Sequence, residues 1–129
     1  MPLIRVEIRE GWSRAEKAQL LDAIHAAAVE ALRIPDEDRT QILTEHPAEA
    51  FELPPGRGDR FTLVEFTMFA GRSLDAKRRL YRAVVNNLGR LGVPPSDVLI
   101  VLHEAPLENW GVRGGTPASE VDLGFEVGV

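Results

Sequence analysis

Apolar and polar positions alternate along residues 3–9, LIRVEIR, with Ile4, Val6 and Ile8 on one side and Arg5, Glu7 and Arg9 on the other. A period of two is that of a strand with one apolar face. From Leu20 the period lengthens: Leu20, Leu21, Ile24, Ala28 and Leu32 recur at helical spacing. Ahead of them Ser13 and Glu16 stand three apart, the signature of a capping box. Pro35 closes this helix, because the residue before a proline disfavours helical backbone. RTQILTE at 39–45 predicts a second strand. The pattern then starts again. FTLVEFTMF at 61–69 reads as a strand, and Ser73 as a helix cap with Asp75 suiting the positive end of the helix dipole. Leu80, Tyr81, Val84, Val85, Leu88 and Leu91 form the helical stripe, Gly92 fits its C-terminal end, and DVLIVLHE at 97–104 is a strongly apolar strand.

The two halves align. GWSRAEK at 11–17 lies over GRSLDAK at 71–77, an offset of 60, and ILTEHP at 42–47 over VLHEAP at 101–106, an offset of 59. Two βαβ units, about 2–50 and 61–106, follow from this repeat, joined by the Pro/Gly-rich ELPPGRGDR at 52–60. The expected architecture is a single α/β domain over residues 1–129. A crossover helix makes the strands of each unit parallel, giving one four-stranded sheet with both helices on one face. Residues 107–129 form a C-terminal tail. There Val121, Leu123, Phe125, Val127 and Val129 alternate, which predicts an extra edge strand. The second unit's strand is apolar on both sides, so an interface between copies is expected on the sheet's bare face.

Composition narrows the function. Twenty acidic residues against fifteen basic give a net charge of −5, with no basic run, which argues against nucleic acid as the main partner. There is no cysteine, so disulfides, thiolate nucleophiles and zinc–thiolate sites are excluded. Charges interrupt every apolar stretch before it reaches membrane-spanning length, and Arg5, Glu7 and Arg9 break any secretory apolar region. The expectation is a soluble cytoplasmic protein. His25, His46 and His103 form no HxH or HExxH cluster, so no metal site is expected.

Pro2 is the candidate with the sharpest chemistry. Once Met1 is removed it is a secondary amine at the head of a strand. A free α-amino group titrates near about 8, and apolar or cationic surroundings lower that value toward the range of a general base. Arg72 lies between a strand end and a helix start. Its planar fork suits a carboxylate or enolate oxygen. Arg39 is placed either to pair with Asp38 or to touch substrate. Trp110, in the Gly-rich ENWGVRGG at 108–115, is suited to wall an apolar pocket or to pack an interface.

The order and spacing of these motifs resemble the tautomerase superfamily. PLIRVEIREGWSRAEKAQLL resembles the opening of 4-oxalocrotonate tautomerase, and ENWGVRGG the hairpin that ends the short members. The tandem length, IPDEDR at 34–39 and the Trp110 segment look most like the malonate semialdehyde decarboxylase branch. The resemblance implies a cofactor-independent enzyme with Pro2 as catalytic base, and Asp38 assisting water or orienting substrate. It also implies Arg72 binding a substrate carboxylate and a homotrimer. The expected reaction is keto–enol tautomerisation of a small 2-oxo or enol carboxylic acid. A decarboxylase or hydratase of a three-carbon acid is the variant reading, and a non-catalytic oligomeric binding protein the competing class. One departure bears on the variant: Met68 and Ala70 stand where that decarboxylase carries an arginine pair.

Overall fold

The computed structural model describes residues 2–129. Strand β1 (Leu3–Arg9), helix α1 (Arg14–Leu32) and strand β2 (Thr40–His46) form the first unit; β3 (Thr62–Phe69), α2 (Leu74–Gly89) and β4 (Val98–Ala105) form the second. Each unit is parallel within itself. The two meet through an antiparallel β1–β3 pairing in which Val6 lies opposite Val64, so the sheet runs β2-β1-β3-β4. The repeat is thus an approximate two-fold about this central seam.

Alternation builds the core. Ile4, Val6 and Ile8, and their counterparts Val64, Phe66 and Met68, are buried on the sheet face that carries both helices. Leu20, Ile24, Ala28 and Leu32 of α1 and Leu80, Val84 and Leu88 of α2 close over them in one cluster. The helix starts follow the expected chemistry. Ser13 Oγ accepts from the Glu16 N–H while Glu16 Oε1 accepts from the Ser13 N–H, a complete capping box. Ser73 Oγ accepts from the Ala76 N–H. Both helices are entered through a glycine in the left-handed region, Gly11 at φ 126° and Gly71 at φ 127°, where a side chain would be strained. The repeat extends to ion pairs, Lys17–Glu45 at 2.8 Å and Lys77–Glu104 at 2.5 Å.

The other sheet face is mixed, not apolar throughout. Ile42 and Leu99 are 41% and 50% exposed. Between the apolar side chains stand two carboxylate–histidine pairs, Glu7–His46 and Glu65–His103, each at 2.7 Å. His103 therefore pairs across the sheet with Glu65, not with the adjacent Glu104. His25 is buried in α1 and bonds the Asp36 carbonyl at 2.7 Å, a structural role.

The C-terminal region corrects one expectation. A small hairpin forms, β5 (Gly111–Val112) against β6 (Thr116–Pro117), but residues 121–129 form no strand. After a 3-10 turn at Ala118–Glu120 the chain bends, because Asp122 Oδ1 accepts from the Gly124 N–H and Gly124 takes φ 77°. The alternating apolar residues fold back onto their own chain instead. Phe125 stacks on Phe69, Val127 lies against Gly71, and the Val129 carbonyl accepts from Ser73 Oγ at 2.8 Å. Among the described residues no helix is long and apolar enough to cross a membrane.

Candidate active site

Strand direction decides which residues meet. One end of the sheet holds the starts of β1 and β2 and the finishes of β3 and β4. Pro2 is there, buried, directly ahead of Leu3, which pairs with Thr67 on one side and Thr40 on the other. The Leu3–Thr40 pairing brings Asp38, two residues before Thr40, to the same end. The Asp38 N–H closes the turn out of α1 by donating to the Pro35 carbonyl. Arg39 points elsewhere: its Nη2 donates to Asp22 Oδ1 of α1 at 2.6 Å, among exposed side chains, and it does not pair with Asp38 through this bond.

Arg72 belongs to this end and is only 6% exposed. Its Nη2 donates to the Leu32 carbonyl at the end of α1 (3.2 Å), where the helix dipole is negative. Nε and Nη1 are buried with no partner among the described residues. Burial pulls the guanidinium below the usual arginine range, and Glu104 opposes that shift. A buried cation with two idle donors is stabilised most by taking an anionic oxygen partner.

An aromatic cluster stands over it. Phe69 meets Trp110 edge-on at 4.9 Å and Phe125 nearly parallel at 6.3 Å, and the Arg72 guanidinium lies 5.9 Å from the Phe125 ring. Trp110 is held in place by its Nε1–H, which donates to the Ala105 carbonyl. The sheet end therefore gathers Pro2, Asp38, Arg72 and Trp110 and leaves Arg39 outside. Among the described residues, cavities open between the helices, beside Glu7 and His46, and beneath the 54–61 loop. The Phe125 ring lies beside Arg72 at the Pro2 end.

The opposite end carries the repeat's counterparts. Trp12 replaces Arg72 and is equally buried at 6% exposure; Thr62, the first residue of β3, replaces Pro2 and is preceded by Phe61 in the chain. The Arg60 guanidinium sits 4.3 Å over the Trp12 ring and donates to Glu16 Oε2. No terminal amine is available at this end.

Residues the sequence reading did not assign are Phe69, Phe125 and Glu104. The repeat held a signal for Glu104, since Glu45 aligns with it and makes the matching lysine pair. Phe125 was visible only as one of five alternating apolar residues.

Two family profiles described as tautomerase enzyme match residues 2–55 and residues 38–113. The chain is 27% identical to "Probable tautomerase YusQ" of Bacillus subtilis (strain 168), over 89% of this chain and 95% of that one. A crystal structure of FG41 malonate semialdehyde decarboxylase inhibited by 3-bromopropiolate superposes with a TM-score of 0.82 at 32% identity, covering 89% and 92% of the two chains. A fused 4-OT, described as a symmetric trimer, superposes with a TM-score of 0.82 at 30% identity, covering 91% and 96%.

Proposed function

The chain belongs to the tautomerase family, and from that premise we propose that it interconverts the keto and enol forms of a small 2-oxo carboxylic acid. The observation that carries this reading is the buried Arg72, with Nε and Nη1 unpaired among the described residues, at the sheet end where Pro2 precedes β1. Arg72 holds the substrate carboxylate through those two donors. Pro2, free of Met1, accepts the enol O–H proton on its nitrogen and returns a proton to the adjacent carbon. The net change is one proton moved from oxygen to carbon. An apolar setting disfavours the charged form of an amine, so a neutral Pro2 nitrogen is the form that takes the proton. Phe69 and Trp110 exclude water from the enolate, and Asp38 orients the substrate. The reacting unit is a homotrimer, the assembly of the fused 4-OT relative; the exposed Ile42 and Leu99 on the helix-free sheet face support such contacts.

A decarboxylase or hydratase reading draws on the 32% identity to malonate semialdehyde decarboxylase. It is the weaker of the two, because Met68 is buried in the core and Ala70 has no charge to offer a second carboxylate oxygen.

The test is ketonisation of phenylenolpyruvate, followed by ultraviolet absorbance, with Met1 removal confirmed by mass. Fast turnover by the wild type and loss in Pro2→Ala is the expected result. Equal, slow rates for both, with turnover of malonate semialdehyde, would move the assignment to the second reading.

A further inference from the structure

A further cavity lies on the helical side of the molecule. Helices α1 and α2 pack antiparallel with alanines facing each other. Ala31 of α1 and Ala83 of α2 are buried and line this contact. Their short side chains leave a cavity of about 270 Å³ between the helices, open to solvent. Charged and polar side chains line it beside Ala31 and Ala83. Arg79, Arg82, Asn86 and Arg90 project from one stripe of α2 and its C-terminal cap, and Glu30 of α1 is the only carboxylate in the lining. Spacings of three and four residues put these α2 groups on one helix face.

The arginines differ from the others on α2. Arg78 is neutralised by Asp75 at 2.7 Å, and Lys77 by Glu104. The Arg79 and Arg82 side chains make no hydrogen bond or ion pair with any described residue. Arg90 is oriented by a relay: the Ala23 carbonyl accepts from Asn87 Nδ2 at 3.0 Å, and Asn87 Oδ1 accepts from Arg90 Nη1 at 3.2 Å. That one bond leaves the rest of the Arg90 fork unused. Three guanidinium groups around a small cavity repel one another unless an anion joins them. Counting Glu30, the lining carries +2 (three arginines less one glutamate) on a chain whose net charge is −5.

We infer that the Arg79–Arg82–Arg90 groove between α1 and α2 binds a compact multivalent oxyanion, a di- or triphosphate or a tricarboxylate. Paired guanidinium forks match the oxygens of either group. Size and charge favour a small ligand over a polymer. A cavity of about 270 Å³ has the volume of about nine water molecules at ~30 Å³ each, enough for pyrophosphate or citrate. A nucleic acid or an anionic membrane would meet the protein's overall negative charge, whereas a small ion within about one Debye length, ~8–10 Å, is governed by the local arginines.

The probes are pyrophosphate and citrate, titrated calorimetrically into the wild-type protein with ionic strength held constant by sodium chloride. Saturable one-to-one binding is expected. It should weaken by about tenfold or more in Arg79→Gln/Arg82→Gln, through loss of charge-assisted bonds, and tighten in Glu30→Gln. Preference for pyrophosphate assigns the ligand to phosphates, and preference for citrate assigns it to polycarboxylates. Arg79→Lys/Arg82→Lys should bind more weakly than wild type yet better than the glutamine variant. Far-UV circular dichroism and the phenylenolpyruvate rate, unchanged in these variants, show that the fold and the Pro2 end are intact. Absence of saturable binding to both probes, equal affinity in the glutamine variant, weakening in Glu30→Gln, or binding confined to duplex DNA or anionic vesicles would each overturn the inference.

Discussion

The two ends of the sheet began from one plan and now differ in kind. At one, Pro2 heads a strand and Arg72 is buried with two idle donors. At the other, Thr62 sits inside the chain and Trp12 is buried beneath Arg60. Both ends use the same left-handed glycine, the same serine cap and the same lysine–glutamate pair. The scaffold of the turn is therefore independent of the residue it presents. Both ends bury donors that no described residue pairs, Trp12 Nε1 and Arg60 Nη1 at the Thr62 end and Arg72 Nε and Nη1 at the Pro2 end. The difference is that the Arg60 cation rests on the Trp12 ring and Glu16, whereas Arg72 has one carbonyl partner and no close carboxylate bond.

The sharpest way to break this comparison is at the paired positions Pro2 and Thr62. Pro2→Ala is expected to lower kcat/KM for phenylenolpyruvate by about 10²-fold or more, the usual contribution of a positioned base. Thr62→Val, its counterpart, leaves the rate near that of wild type. Equal losses in the two variants would mean that both report on folding. Next in size is Arg72→Gln, which removes the carboxylate fork. KM should rise by roughly 10- to 100-fold, the range for hydrogen bonds to a charged group, with a smaller change in kcat. Trp12→Phe at the other end leaves KM unchanged. Steady-state kinetics of the pair reads this directly.

Smaller effects separate the two caps. Ser13→Ala and Ser73→Ala each cost about 1 kcal/mol in chemical denaturation, the typical value for a lost N-cap. Only Ser73→Ala also releases the tail, because Ser73 Oγ donates to the Val129 carbonyl. Limited proteolysis should therefore cut residues 121–129 faster in that variant alone. The smallest difference concerns acid. Glu16 is held below the usual carboxylate range by the Ser13 N–H first and by Arg60 second. A depressed folded-state value gives stability that is present above the unfolded-state value and lost as pH falls through the folded one. Glu16→Gln should be less stable than wild type at neutral pH and match it in acid, as read by denaturant midpoints across pH.

Much of this was legible in the sequence. Period-two and helical spacings located all four long strands and both helices, because each element buries one face against a common core. Ser13, Glu16 and Ser73 announced the helix starts through local chemistry that needs no tertiary information. The tail was not legible in the same way. Its alternation is that of a strand, but Asp122 and Gly124 bend it, and the apolar ground it covers, Phe69 and Gly71, is distant in the chain. The Arg39–Asp22 pair was hidden for a related reason: nearness in sequence favoured Asp38, while the turn out of α1 aims the guanidinium at the helix. Burial of Arg72 also depends on tertiary structure, since the end of α1 supplies its carbonyl partner.

The central seam has a consequence for how such a chain can be built. The units are joined by the β1–β3 ladder and a shared core, so the 52–60 segment transmits little of the cohesion. A gene split within that segment would encode two polypeptides, each presenting one open edge that only the other completes. They should assemble as an obligate heterodimer. What the covalent link adds is stoichiometry: it guarantees that every half with a proline head meets one without, so the second half is free to change its residues while the first keeps its chemistry.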